Sequence, residues 1–116
     1  MIFNLFKSKP TLKELIPKEF VDIHSHVLPG IDDGAKNVEE SLLLISEMKK
    51  LGFSKVICTP HIYPGLYDND INSINNSFDL IKNSNIRIEF SAEYLIDDYL
   101  INLIKSKNIF LSNSVI

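Results

Sequence analysis

Three times along this chain a short strand-like apolar run leads through polar, glycine- or proline-bearing residues to apolar residues at helical spacing. The first run is Phe20 to His26, rich in strand formers such as Phe20, Val21 and Ile23. After a loop over 27–36, Asn37 with Glu40 three residues on marks a helix start of the capping-box kind. Val38, Leu42 and Ile45, with Leu44, Met48 and Leu51, then form an apolar stripe that reads as core. Lys49, Lys50 and Gly52 suit its C-terminal end. A second strand follows over Phe53–Cys58, and a helix over roughly 71–83 is predicted from Ile71, Ile74, Phe78 and Ile81. Ile86–Phe90 reads as the third strand, Ile96, Leu100, Leu103 and Ile104 as a helix over about 96–106, and Ile109–Ile116 as a strand or hairpin. This β-α-β-α-β-α order predicts an α/β fold of parallel strands joined by right-handed crossover helices.

Residues 1–19 read as a leader, distinct from a domain over 20–116. Met1, Ile2, Phe3, Leu5 and Phe6 suggest one apolar helical turn, and Thr11 caps a short helix through Leu15 and Ile16 that Pro17 stops. The expectation for this segment is a packing arm without chemistry.

Length and charge narrow the function. At 116 residues there is room for one small domain, and a net charge of −3 does not suggest a general nucleic-acid or anionic-membrane binder. The single cysteine, Cys58, forbids an internal disulfide and suits a reducing compartment. No apolar run approaches the ~20 residues that span a bilayer, and the start is too short for a signal-peptide core, so the expected location is cytoplasmic. Arg87 is the only arginine, and it lies within a strand-like run where a phosphate-clamping role is not expected.

The chemistry concentrates at strand ends. Residues two apart on a strand share a face, which predicts Asp22, His24 and His26 in line, with Val21, Ile23 and Ser25 opposite. Pro29, Gly30 and Gly34 then bend the chain so that Asp32 and Asp33 return toward the strand end. A lone His-x-His is common as ordinary surface or core histidine. Here, however, the third and last histidine, His61, follows the second strand, and Glu93 follows the third. Imidazoles and a carboxylate at three strand ends can share a metal ion. In parallel α/β folds the carboxyl ends of strands are where sites form.

The stretches D-I-H-S-H-V-L-P-G-I-D-D-G-A over 22–35, I-C-T-P-H over 57–61 and S-A-E-Y over 91–94 resemble the polymerase-and-histidinol-phosphatase (PHP) superfamily. The long first motif, and K-P-T-L-K-E-L-I-P before it, is similar to one branch of that superfamily. That branch comprises the bacterial manganese-dependent protein-tyrosine phosphatases of capsule and exopolysaccharide operons. The resemblance implies the first half of a distorted (β/α)7 barrel and a cluster of up to three manganese ions, with iron or zinc as alternatives. It implies His24, His26, Asp33, His61 and Glu93 as metal ligands, Glu93 bridging two ions. Asp22 is then a residue orienting a ligand histidine, and Asp32 a loop residue without a role.

Implied too are hydrolysis of a phosphotyrosine protein by metal-activated water and a bacterial tyrosine kinase as substrate. A cysteine mechanism at Cys58 is not favoured, because T-P-H-I-Y-P-G follows it without an arginine. The family's later histidine, Asp-x-His pair and arginines have no counterpart here. The chain is therefore expected to be truncated, to have little activity alone, and to associate with itself or with a complementing C-terminal half. Two other readings stay open: a degenerate metal-binding or interaction remnant, and another PHP phosphoesterase such as a histidinol phosphatase.

Overall fold

A computed structural model describes residues 8–111. The apolar turn expected near the N-terminus, and the part of the 109–116 strand beyond Leu111, lie outside the described residues. From residue 108 to 111 the backbone is irregular, so no strand forms there.

Helix α1 is short, Leu12–Leu15, and its start is tied by Thr11 N donating to Glu14 Oε2 at 2.6 Å. Leu12 and Leu15 on it are 58% and 62% exposed, while Ile16 just after it is partly buried beside Gly52. Strand β1 (Phe20–Ser25) leads to helix α2 (Val38–Leu51). Asn37 Oδ1 accepts from Glu40 N at 2.9 Å, while Glu40 Oε2 reaches Lys36 N at 2.8 Å, one residue before the cap. Gly52 ends α2 at φ 114°, a left-handed conformation that suits glycine. The buried face of α2 differs from the expected stripe. Ser41 and Ile45 are buried, with Val38 and Met48 packed against the core, whereas Leu42 and Leu44 are 42% and 40% exposed. Ser41 is small enough to lie against the sheet and places its hydroxyl on Asn37 O at 3.0 Å.

Strand β2 (Phe53–Cys58) is followed by the two-residue strand β3 (His61–Ile62). Helix α3 covers Ile71–Asp79, capped by Asp70, and stops short of the expected end. Leu80, Ile81 and Ser84 make i−3 bonds instead, and Asn83, Ser84 and Asn85 favour turns over helix. Strand β4 (Arg87–Phe90), strand β5 (Glu93–Tyr94) and helix α4 (Asp98–Lys105) complete the described elements. Asp97 caps α4 by accepting from Leu100 N at 2.9 Å, so Ile96 falls outside the helix and is exposed.

The strands form two open parallel sheets, β1-β2-β4 and β3-β5. Register assigns the two faces of the larger sheet, because paired residues point the same way. Val56, Cys58, Ile88 and Phe90 face the core with Leu28, Ile45, Ile74 and Ile81, all buried. On the other face Val21 pairs with Lys55, and Lys55 and Ile57 pair with Arg87 and Glu89. That face is an open trough of about 490 Å³ in which Ile23 is 73% exposed. Glu89 is buried there between Lys55 Nζ and Arg87 Nη2, each at 2.6 Å. The sole arginine is thus engaged at the far end of β4 from Glu93.

Candidate metal centre

The first histidine pair does not follow simple alternation. Asp22 pairs with Val56 and Ser25 with Cys58, so three steps along β1 match two along β2. The extra residue puts Ser25, rather than His24, on Asp22's face and turns His24 to the rim. Irregularities of this kind re-aim side chains next to sites. Asp22 holds His24 through the backbone, its Oδ1 accepting from His24 N at 3.1 Å, and the ring is held instead by Thr59 Oγ1, 3.0 Å from Nδ1.

The loop after β1 is built around Gly34. A Cβ there would fall on the His26 carbonyl oxygen and crowd the His26 Cβ, so only glycine lets the loop close. It closes through Ala35 N donating to His26 O at 3.0 Å and Gly30 N to Ala35 O at 2.8 Å. Closure brings Asp32 inside. Its side chain, 1% exposed, accepts from Gly34 N at 3.0 Å and from His61 N at 3.2 Å, and its Oδ2 lies 2.7 Å from His26 Nδ1. Asp32 is therefore not a loop residue without a role. It orients His26, a function that a D-D pair in a loop does not reveal until the loop is closed. Asp33 remains exposed, with Oδ1 3.2 Å from His61 Nε2.

A second residue that sequence reasoning missed is Asn69. Its amide donates to Ile31 O at 2.7 Å and to His61 O at 2.9 Å, tying the two site loops together.

The parallel pairing of β3 with β5 sets His61 directly opposite Glu93. Glu93 Oε2 lies 3.3 Å from His26 Nε2, 3.6 Å from His24 Nε2 and 3.2 Å from His61 Nδ1. The two Nε2 atoms of His24 and His26 are 3.4 Å apart. All five residues expected as ligands are brought to one rim, in two overlapping groups: His24, His26 and Glu93, and His26, Asp32, Asp33 and His61. Tyr67 stacks on His61 with ring centroids 5.3 Å apart, and the Tyr63 ring lies 4.4 Å from His61, tilted by 39°. Tyr63 also donates from its hydroxyl to Glu93 Oε1 at 3.0 Å. Partial burial, that bond and the charges of Glu93 and Asp33 push the Tyr63 hydroxyl pKa up.

The donor set fits a divalent transition metal. With Asp32 Oδ2 accepting a hydrogen bond from His26 Nδ1, the neutral ring would turn its Nε2 lone pair toward a carboxylate oxygen. His61 Nδ1 is buried without a hydrogen bond although Glu93 Oε2 is near. Lone pairs facing one another at such distances repel unless a cation or proton lies between them, and mixed imidazole–carboxylate ligation suits manganese, iron or zinc. Cys58, by contrast, is fully buried in the sheet, and burial pushes its thiol up to about 12. It supplies no thiolate to the rim.

Residues 20–112 match the family described as "Capsular polysaccharide synthesis, CpsB/CapC". CapC of Staphylococcus aureus is 30% identical over 95 residues, which cover 77% of this chain and 37% of that protein. The tyrosine-protein phosphatase CpsB of Streptococcus agalactiae is 30% identical over 95 residues, 77% of this chain and 39% of the relative. The tyrosine-protein phosphatase YwqE of Bacillus subtilis is 31% identical over 75 residues, 65% of this chain and 30% of the relative. The chain thus spans well under half the length of the curated relatives it matches.

Proposed function

The chain belongs to the capsular polysaccharide synthesis CpsB/CapC family, and from this we propose that its rim is part of the metal centre of a metal-dependent protein-tyrosine phosphatase. The observation that carries the reading is the meeting of three imidazole nitrogens within 3.6 Å of one carboxylate oxygen, Glu93 Oε2. Relatives named as tyrosine-protein phosphatases supply the reaction class. We take the open sheet as the first half of a (β/α)7 barrel, whose trough over Val21, Ile23 and Ile57 further strands would cover.

In this reading His24, His26, His61, Glu93 and Asp33 hold the metal. Divalent manganese, iron or zinc bound there supplies Lewis acidity toward a phosphoryl oxygen and acidifies water. The chain's own residues do the rest. Asp32 fixes the His26 tautomer, Thr59 holds the His24 ring, and the β3–β5 pair sets His61 against Glu93. The substrate is a phosphotyrosine protein, with a bacterial tyrosine kinase as the expected partner, and the location is cytoplasmic. No described helix is long and apolar enough to cross a membrane.

Arg87 is committed to Glu89, so the one arginine of the chain does not serve the transferring phosphoryl group. Losing such an electrostatic partner costs on the order of 10²–10³ in rate. This favours slow turnover by the chain alone and keeps a metal-binding remnant as the second reading. The test is calorimetric titration with Mn²⁺ together with phosphate release from a phosphotyrosine peptide, wild type against His26→Ala. The expected result is metal binding and slow phosphotyrosine-selective release, both lost in the variant. No binding of manganese, iron or zinc overturns the metal centre. Binding with no release above the variant assigns the chain to the second reading.

A further inference from the structure

We propose that Tyr63 is a positioning residue for Glu93, holding Oε1 so that Oε2 alone faces the imidazoles. The inference rests on the metal-centre reading above and concerns how its carboxylate is aimed. Sequence patterning assigned Tyr63 no chemistry; it is one aromatic residue in a loop carrying proline and glycine.

The loop makes it more than that. Tyr63–Leu66 is a tight turn with Pro64 and Gly65 at its centre, Gly65 at φ 85°. Leu66 N donates to Tyr63 O at 2.9 Å, as a turn with proline then positive-φ glycine requires. Tyr63 and Tyr67 exchange backbone bonds of 3.0 and 2.8 Å across it. Gly65 N is held by Asp68 Oδ1 at 2.7 Å. The Tyr63 backbone is thereby fixed, and its ring rests against His61 in a tilted contact with centroids 4.4 Å apart. The hydroxyl is left pointing at Glu93 Oε1.

Glu93 needs such a holder. Strand pairing with His61 fixes its backbone, but three side-chain torsions lie between that backbone and the carboxylate. Among the described residues the Tyr63 hydroxyl makes the one hydrogen bond to this carboxylate; its other near neighbours are the three imidazoles. A carboxylate with one oxygen tied down loses less freedom when the other meets a cation. Tyr63 therefore leaves one carboxylate oxygen free and aimed at the imidazoles. An ion approaching Oε1 has to displace the hydroxyl first.

The experiment is Co²⁺ titration of the chain, followed by visible absorption, for wild type, Tyr63→Phe, Glu93→Ala and the double variant. Phenylalanine keeps the ring on His61 and removes only the hydroxyl. The expected result is a loss of about tenfold or more in Co²⁺ affinity for Tyr63→Phe, the range seen when a partner of a metal ligand is removed. The cobalt spectrum should change, the metal-free melting temperature should hold, and the double variant should show no loss beyond Glu93→Ala. Wild-type affinity in Tyr63→Phe, with binding abolished by Glu93→Ala, overturns the role of Tyr63 and leaves the metal centre standing. A further loss in the double variant, or a lowered metal-free melting temperature in Tyr63→Phe, overturns it as well, by showing action on the fold or on another ligand. Absence of Co²⁺ binding by the wild type overturns the metal centre and the Tyr63 role together.

Discussion

Val56 and His61 are five residues apart, yet they belong to regions held together by opposite means. Around Val56 the sheet packs Cys58, Ile88 and Phe90 against Ile45, Ile74 and Leu28 with almost no exposed surface. Around His61 the chain gathers histidine nitrogens and carboxylate oxygens at close range, aligned by Asp32, Thr59, Asn69 and Tyr63. Apolar burial stabilises the first region whatever is bound. The second is arranged at a cost that a cation would offset if the proposed metal centre is filled. Stability and metal binding should therefore separate cleanly by mutation, and the places where they do not are the joints between the regions.

The sharpest separation should come from Ile45→Ala. Ile45 is fully buried, and cutting it back leaves a cavity under the sheet that should cost about 2–5 kcal/mol in urea denaturation. Whatever remains folded should bind metal as the wild type does. A cost under about 1 kcal/mol would show that α2 is not seated as described.

Gly34→Ala should break the separation, because Gly34 joins the two regions. The added methyl meets the His26 backbone, which cannot yield without opening the loop. We expect a loss of about 1–3 kcal/mol in stability, typical of overpacking, together with loss of metal binding. Unchanged calorimetric metal affinity would mean that the loop tolerates another path.

Asp32→Asn should act on the rim. The amide keeps an oxygen for Gly34 N or His61 N but no longer fixes His26 as a carboxylate does. Metal affinity should fall about 10–100-fold, with a smaller effect on the denaturation midpoint than Ile45→Ala.

At neutral pH the smallest effect belongs to Cys58, because it is seen only in alkali. Its thiol pKa is raised by burial from 9.0 to about 12, so the native fold favours the neutral form. The stability linked to it is complete below pH 9 and is lost as pH rises from 9 toward 12. The native chain should resist iodoacetamide at pH 8 and react when unfolded. Fast alkylation of the folded chain would show that β2 is not closed over.

Much of the molecule was legible without coordinates. Phe53–Cys58 is strand from end to end as apolar composition between Gly52 and Pro60 suggests, and α2 runs between its caps Asn37 and Gly52 because both ends carry their own. The convergence of His24, His26, His61, Asp33 and Glu93 was foreseeable, since parallel strands deliver their carboxyl ends to one rim. These features depend on local preference and on topology, and both are carried by residues near in sequence. What the tertiary structure alone decided depends on residues brought together from far apart. The irregular step in β1 that turns His24 outward exists only in register with β2. Asp32 differs from Asp33 only because loop closure on Gly34 buries one and exposes the other. Ser41 rather than Leu42 is buried because tertiary packing, not the apolar stripe, sets which face of α2 turns inward. Tyr63 reaches Glu93 across thirty residues of sequence through a turn and a strand pair. Hydrophobic periodicity reports whether a residue can be buried, but which polar atom meets which is set by packing, and no local pattern encodes it.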